Sequence, residues 1–229
     1  MPSSPATRVG EWLLRRVLVG PPLRAYLRLT VEGREHVPAT GPLIIASNHR
    51  SFVDSMVIPL AAGRKVGFLG KAEYIEGDGL TGWAKRLWFG EFGGMIPVDR
   101  EDPRAAARSL ELAEAHVLSG GAFGIYPEGT RSRDGRLHKG RTGVGRLVVS
   151  TEAPVVPCAV TGTERVQPVG SKGWRPYRVT VRFGPPVDVA PLRREHVKAR
   201  LHRAITDAVM DEVAARTDQE RSSEYADRG

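Results

Sequence analysis

Pro42-Leu43-Ile44-Ile45-Ala46-Ser47-Asn48-His49-Arg50-Ser51-Phe52-Val53-Asp54 is a short apolar run that breaks off into a polar cluster. The run shows no alternation of polar and apolar residues. Pro42 to Ser47 therefore reads as a strand covered on both sides, as strands of parallel sheets are. Working outward, similar short runs recur at Lys65 to Leu69, Met95 to Val98, Ala122 to Tyr126, Val155 to Val160 and Tyr177 to Phe183. The last alternates, with Tyr177, Val179, Val181 and Phe183 on one face and Arg178, Thr180 and Arg182 on the other, so it belongs near a sheet edge. Between these runs lie helical patterns. Asp102 caps one with Pro103 in its first position, and it continues through Leu110 and Val117 to a Gly120–Gly121 stop. Another extends from about Pro191 to Ala215. Strands alternating with helices predict an α/β fold: a single domain with a mixed, mostly parallel sheet flanked by helices, preceded by an N-terminal amphipathic helical segment.

The chain has 229 residues, 41% of them apolar and 26% charged, which suits one ordinary domain and argues against wholesale disorder. One cysteine, Cys158, excludes an internal disulfide and a cysteine-based metal cluster, and it points to a reducing compartment. Neither a spanning helix nor a signal peptide is expected, because every apolar run is short and Arg15 and Arg16 interrupt the N-terminal one. No metal or cofactor is expected. Basic side chains outnumber acidic ones 34 to 26. The excess gathers in residues 1–34, where Arg8, Arg15, Arg16, Arg24, Arg28 and Arg34 face only Glu11 and Glu32. That stretch also carries Trp12, Leu13, Leu14, Val17, Leu18, Leu23, Tyr26, Leu27 and Leu29, broken by Gly20-Pro21-Pro22. Two short amphipathic helices result, fit either to lie on an anionic membrane or to pack on the domain. The chain is divided accordingly into a basic membrane-associating segment (1–34), the main domain (35–216) and a polar, mixed-charge tail (217–229) expected to be flexible.

Open α/β sheets place ligands at the carboxyl ends of their strands, which is where Asn48 to Asp54 falls. If Ser51 to Asp54 opens a helix, the Asp54 carboxylate can turn back to one nitrogen of His49 and leave the other facing a cleft as a base. The same residues also suit a surface histidine beside a helix cap. A second polar cluster, Tyr126-Pro127-Glu128-Gly129-Thr130-Arg131-Ser132-Arg133, follows another apolar run. It combines a glycine that admits close approach, two hydroxyls and two guanidinium forks, a set that suits phosphate, though a solvated turn has the same composition.

With Gly93-Gly94-Met95-Ile96-Pro97-Val98-Asp99-Arg100 and Val155-Val156-Pro157-Cys158-Ala159-Val160, these clusters resemble, in order and spacing, the four sequence blocks of the glycerolipid acyltransferases, the family that includes 1-acyl-glycerol-3-phosphate acyltransferase. The pairing of Asn-His-x4-Asp with Pro-Glu-Gly-Thr-Arg is the specific part. What the resemblance implies is transfer of a fatty acyl group from coenzyme A or acyl carrier protein to the free sn-2 hydroxyl of 1-acyl-glycerol 3-phosphate, giving phosphatidic acid. His49 would be the general base and Asp54 its orienting partner. Glu128, Gly129, Thr130 and Arg131 would bind the phosphate end of the acceptor, with Arg100 contributing and Asn48 in the same substrate-binding set. Glu128, being acidic, is expected to orient Arg131 or to bind a glycerol hydroxyl, and the Pro157 block to wall a pocket. Lys71, in Gly70-Lys71-Ala72, is a further candidate for anionic contact or a plain surface lysine. Tyr126 stands where the family often has phenylalanine. Partners implied are a phospholipid membrane surface at the cytoplasmic face of the cell membrane, the acyl donor and a lysophosphatidic acid or related acceptor, with no nucleic acid. Glycerol 3-phosphate, another lysophospholipid or a glycolipid are the alternative acceptors.

Other readings, a non-enzymatic basic protein that binds nucleic acid among them, have weaker signals. Gly135-Arg136-Leu137-His138-Lys139-Gly140-Arg141-Thr142 approaches a phosphate-binding loop but has arginine in place of lysine and no strand leading in. Neither Gly-x-Ser-x-Gly nor His-Glu-x-x-His occurs. Cys158 reads as a small core residue.

Overall fold

The computed structural model describes residues 20–71, 95–98, 105–171 and 173–227. Helix α1 (Gly20–Tyr26) leads into β1 (Thr30–Glu32), a single 3-10 turn (Arg34–His36) and β2 (Leu43–Ser47). Then come α2 (Asp54–Ala62), β3 (Gly67–Lys71), β4 (Met95–Val98), α3 (Ala105–Leu118), β5 (Ala122–Ile125), α4 (Gly143–Thr151) and β6 (Val155–Thr161). The chain closes with α5 (Thr163–Val166), β7 (Thr180–Phe183), α6 (Ala190–Glu195) and α7 (Lys198–Ala214).

The strands form one seven-stranded sheet in the order β1-β7-β6-β2-β5-β3-β4. Every pairing is parallel except β6 with β7. All five residues of β2 are buried, because helices cover both faces of the sheet. Leu43 and Ile45 point to one side, where they pack with Val57, Ile58 and Ala61 of α2 and with Leu23 and Leu27. Ile44 and Ala46 point to the other, against Ala113 and Val117 of α3, Val144 and Leu147 of α4 and Leu201, Ile205 and Val209 of α7. The stripe Leu201-Ile205-Val209 recurs every four residues, the spacing that aligns side chains along one helix face. Each such buried aliphatic side chain contributes about 1.5–3 kcal/mol relative to exposure. At Gly145 an added Cβ would strike the carbonyl of His202, so the absence of a side chain sets the close crossing of α4 and α7.

Four sequence expectations shift. The expected boundary between a 1–34 segment and the domain moves toward the N-terminus. Leu23 and Leu27 are core residues, and β1, though only three residues long, takes its place as an edge strand beside β7. Strand β1 carries no apolar run; its register comes from main-chain bonds such as Thr30 N–H to the Val179 carbonyl at 2.9 Å. Gly20-Pro21-Pro22 forms the first turn of α1, where proline costs nothing because that amide has no helical acceptor. Residues 1–19, including the first amphipathic stretch, lie outside the described residues, as do Asp102 and Pro103, the expected cap and first position of the helix before Gly120. The helix expected over Pro191 to Ala215 is split, with extended His196 and Val197 separating α6 from α7. Tyr177 is exposed rather than on the inner face with Val179, Val181 and Phe183.

The fourth shift concerns the tail. Residues 217–227 pack on the domain instead of standing free. Leu137 N–H donates to the Glu220 carbonyl and Ser222 N–H to the Leu137 carbonyl, a short parallel bridge that runs the tail alongside residues 135–141. Ala226 is buried, and Tyr225 offers its ring to Lys139 and Arg141 at 5.4 and 5.1 Å.

Candidate active site

Strands β6, β2 and β5 are neighbours and run parallel, so the loops that follow them meet at one end of the sheet. The loop after β2 supplies His49, the loop after β5 supplies Glu128 to Ser132, and Thr163 follows β6 at the start of α5.

Asp54 is the first residue of α2 and has no solvent exposure. Its carboxylate accepts four hydrogen bonds. Oδ2 takes His49 Nδ1–H at 2.9 Å and the N–H groups of Arg50 and Ser51 at 2.7 and 2.8 Å, while Oδ1 takes the Thr163 hydroxyl at 2.5 Å. A site that receives four donors holds an ionised carboxylate, which the helix N-terminus also favours. An acceptor-only partner requires the proton on Nδ1. His49 Nε2 is then left with its lone pair, and no described residue hydrogen-bonds it. The imidazole side chain retains 16% exposure, so Nε2 is reachable from solvent. The Tyr126 ring lies flat against it, centroids 3.7 Å apart and planes 6° from parallel, with its hydroxyl 2.8 Å from Ser55 Oγ on α2. Burial pushes the Tyr126 phenol well above its ordinary range, helped by the Asp54 charge, so it stays neutral beside the histidine.

Glu128 grips the main chain of the same loop. One carboxylate oxygen accepts His49 N–H at 3.0 Å and the other accepts His138 N–H at 2.9 Å, and the residue is wholly buried. Burial raises its carboxyl to about 7, against the pull of those two N–H donors. Ser132 N–H donates to the His49 carbonyl at 2.8 Å, so the loop after β5 holds both main-chain polar groups of His49. The expectation that Glu128 orients Arg131 or meets a glycerol hydroxyl is therefore corrected. Its two oxygens are occupied by backbone, away from solvent. Gly129, with φ of 80°, makes the turn that follows, and Arg131 is exposed with no hydrogen bond or ion pair to any described residue. Thr130 is half-buried between them. Gly129, Thr130 and Arg131 thus line the rim beside His49.

Asn48 is corrected in the same way. It is fully buried, accepts Val160 N–H at 2.8 Å and donates to the Val160 carbonyl at 3.0 Å and to Gln219 Oε1 at 2.6 Å. Its amide has nothing left for substrate and instead ties the His49 loop to β6 and to the tail. Lys71 ends β3 in register with Val98, at the same end of the sheet as His49. Arg100 lies outside the described residues. Pro157 and Cys158 lie within β6; Cys158 is buried, and burial drives its thiol upward, so it is no nucleophile.

Residues outside the candidate site set expected from sequence complete the arrangement: Ser55, Thr163, Asp218, Gln219 and His138. Arg50 reaches Asp218 at 2.7 Å and Glu164 at 3.2 Å, and Gln219 Nε2 donates to the Gly135 carbonyl at 3.0 Å. Thr163 had a signal available, since it stands just past a strand's carboxyl end, as His49 does. Among the described residues no three His, Cys, Asp or Glu side chains stand together as metal ligands, and no helix is long and apolar enough to cross a membrane.

Residues 28–161 match the acyltransferase family model. The chain belongs to the acyltransferase family. The match spans more than half the chain and includes both motif loops. Relatives are the chloroplastic 1-acyl-sn-glycerol-3-phosphate acyltransferases BAT2 of Brassica napus, 33% identical over 149 residues, and LPAT1 of Arabidopsis thaliana, 32% identical over 149 residues. Each alignment covers 65% of this chain, which spans 41% and 40% of those longer relatives. The crystal structure of the 1-acyl-sn-glycerophosphate acyltransferase PlsC from Thermotoga maritima shares the fold, with a TM-score of 0.68 at 21% identity over 93% of this chain and 82% of that one.

Proposed function

We propose that this acyltransferase-family protein moves a fatty acyl group from a thioester to the free sn-2 hydroxyl of 1-acyl-glycerol 3-phosphate, forming phosphatidic acid. The observation that carries the reading is the bond from His49 Nδ1 to buried Asp54, which leaves Nε2 as a lone-pair base at a rim bearing an arginine unpaired with any described residue. In the reaction, the acceptor hydroxyl gives its proton to Nε2 as its oxygen attacks the thioester carbonyl. The tetrahedral intermediate collapses with departure of the thiolate, which recovers the proton from the imidazolium. A thiolate leaves readily, so no covalent acyl-enzyme is required. Asp54 stabilises the imidazolium as it forms. Arg131 pairs with the acceptor phosphate through its fork of N–H donors. The names of the relatives support the acceptor. The donor is acyl-CoA or acylated carrier protein, and the protein works as a peripheral protein at the cytoplasmic face of the membrane.

The test is release of free thiol by the purified protein from a long-chain acyl-CoA, with lysophosphatidic acid, glycerol 3-phosphate and lysophosphatidylcholine as parallel acceptors. Turnover on lysophosphatidic acid alone supports the reading. Preference for another of the three replaces the acceptor, and turnover only with acylated carrier protein assigns the donor. His49→Ala should lower kcat by roughly 10²- to 10⁴-fold with acceptor binding retained; near-normal turnover in that variant would remove the base assignment. Arg131→Ala should raise the KM for the acceptor by about ten- to a hundredfold while kcat changes little, because a charge-assisted contact to a phosphate present throughout the reaction is lost.

A further inference from the structure

The connection between β6 and β7 stands directly on the catalytic loop. Thr163 at its start bonds Asp54, and the Gln167 carbonyl accepts the Ser51 hydroxyl at 3.0 Å. From Arg165 to Val187 the sequence contains no acidic residue, and it carries Arg165, Lys172, Arg175, Arg178 and Arg182. Arg182 is spoken for by Glu32. Arg165, Arg175 and Arg178 are exposed with no side-chain hydrogen bond or ion pair to any described residue, and so is Arg28 across from them. Apolar groups share this surface: Val169 is 42% exposed, Tyr177 46% and Tyr26 40%. Trp174 is half-buried against the core, and its carbonyl accepts the Tyr26 hydroxyl, which joins the end of α1 to the loop. Gly170 and Gly173 have nothing within 4 Å of the place a Cβ would occupy, so the tip is open.

We propose that residues 165–171 and 173–178, with Tyr26 and Arg28, form a lipid-contact face that seats the His49 end of the sheet on an anionic phospholipid surface. Exposed aromatic and aliphatic side chains set among arginines that pair with no described residue, in a stretch of sequence without a carboxylate, suit the headgroup boundary, where apolar insertion and charge attraction add. The position fits a bilayer-resident acceptor. The loop is anchored to Ser51 and Asp54, so contact there brings the rim at His49 to the membrane. This deepens the proposed function and rests on its lipid acceptor, but its test needs no turnover, so either can fail without the other.

The full-length chain with Val169→Cys is labelled with a polarity-sensitive fluorophore. The buried Cys158 does not compete for the label. Leu118→Cys serves as the control, being 62% exposed at the end of α3, before β5 begins, and so at the opposite end of the parallel strands. The expected result is a blue shift at position 169 on phosphatidylcholine–phosphatidylglycerol vesicles, little on phosphatidylcholine alone, and none at position 118. In the double variant Arg175→Gln/Arg178→Gln, with an unchanged thermal unfolding transition, vesicle affinity should drop on the order of tenfold or more. The proposal is overturned if the protein sediments with anionic vesicles while the label at 169 stays unshifted, if both positions shift alike, or if only an acidic carrier protein or an oligonucleotide moves it.

Discussion

Asp54 and Glu128 are both closed to solvent, and both bond to His49, yet they hold different parts of it. Asp54 takes the imidazole, two further N–H groups and a hydroxyl, from the first turn of a helix. Glu128 takes only main chain, from a loop, and its carboxyl is raised to about 7. One carboxylate sets the protonation pattern of the base; the other sets where the base stands. A buried carboxylate with four donors keeps its charge at modest cost, whereas one with two donors sits near balance between desolvation and hydrogen bonding.

The difference is sharpest in the reaction rate of the conservative variants. Asp54→Asn retains the volume but offers an amide where an acceptor-only group is needed, so the wrong His49 tautomer becomes accessible and its imidazolium loses its counter-charge. We expect kcat to fall by roughly 10³- to 10⁴-fold with the acceptor KM nearly unchanged. A loss below tenfold would show that Asp54 only holds the loop of Arg50 and Ser51 in place. Glu128→Gln is expected to act through placement, with kcat lower by up to roughly 10²-fold, since displacements near one ångström at the reacting group carry losses of that size.

Glu128 also predicts a pH signature of stability. Its folded-state pKa of about 7 is above the ordinary 4.5, so the folded state holds the proton more tightly than the unfolded chain does. That contribution is fully present below pH 4.5 and is lost as pH rises through about 7. Measured as unfolding free energy against Glu128→Gln, which does not titrate, the wild type should lose on the order of a few kcal/mol across this interval. A gain over the same interval would mean that the two N–H donors outweigh burial.

How much of this was legible beforehand follows from the range of the interactions. Pro42 to Ser47 and Val155 to Val160 were readable as buried strands because apolar content on both faces is a local property. The meeting of His49 with Asp54 was readable for the same reason, the two being five residues apart with a helix start between them. Glu128 is legible as a site residue, but its task is not. Its partners, His49 N–H and His138 N–H, are backbone groups that carry no sequence mark. Asn48 misleads for a similar reason, since a polar residue beside a base looks like a ligand although Val160 and Gln219 consume its amide. The docking of the tail is illegible in the sequence because its attachment is polar and long-range: Asp218 to Arg50 and Gln219 to Asn48 bridge 168 and 171 residues. Hydrophobic periodicity is silent about such bonds.

The smallest expected effect tests what the stacked ring adds to the two carboxylates. Tyr126 meets His49 through its face and α2 through its hydroxyl. Tyr126→Phe deletes only the bond to Ser55 and leaves the flat contact, so the thermal transition should drop by the equivalent of about 1 kcal/mol and kcat should stay within a few-fold. Tyr126→Leu deletes the face as well. The imidazolium that forms during attack loses a π surface that favours positive charge, so kcat should fall by roughly a few-fold to tenfold relative to Tyr126→Phe. If the two variants share one kcat, the ring, which also stacks on Phe68 at 5.3 Å, merely fills space. Orientation of the base would then rest on the Asp54 bond alone.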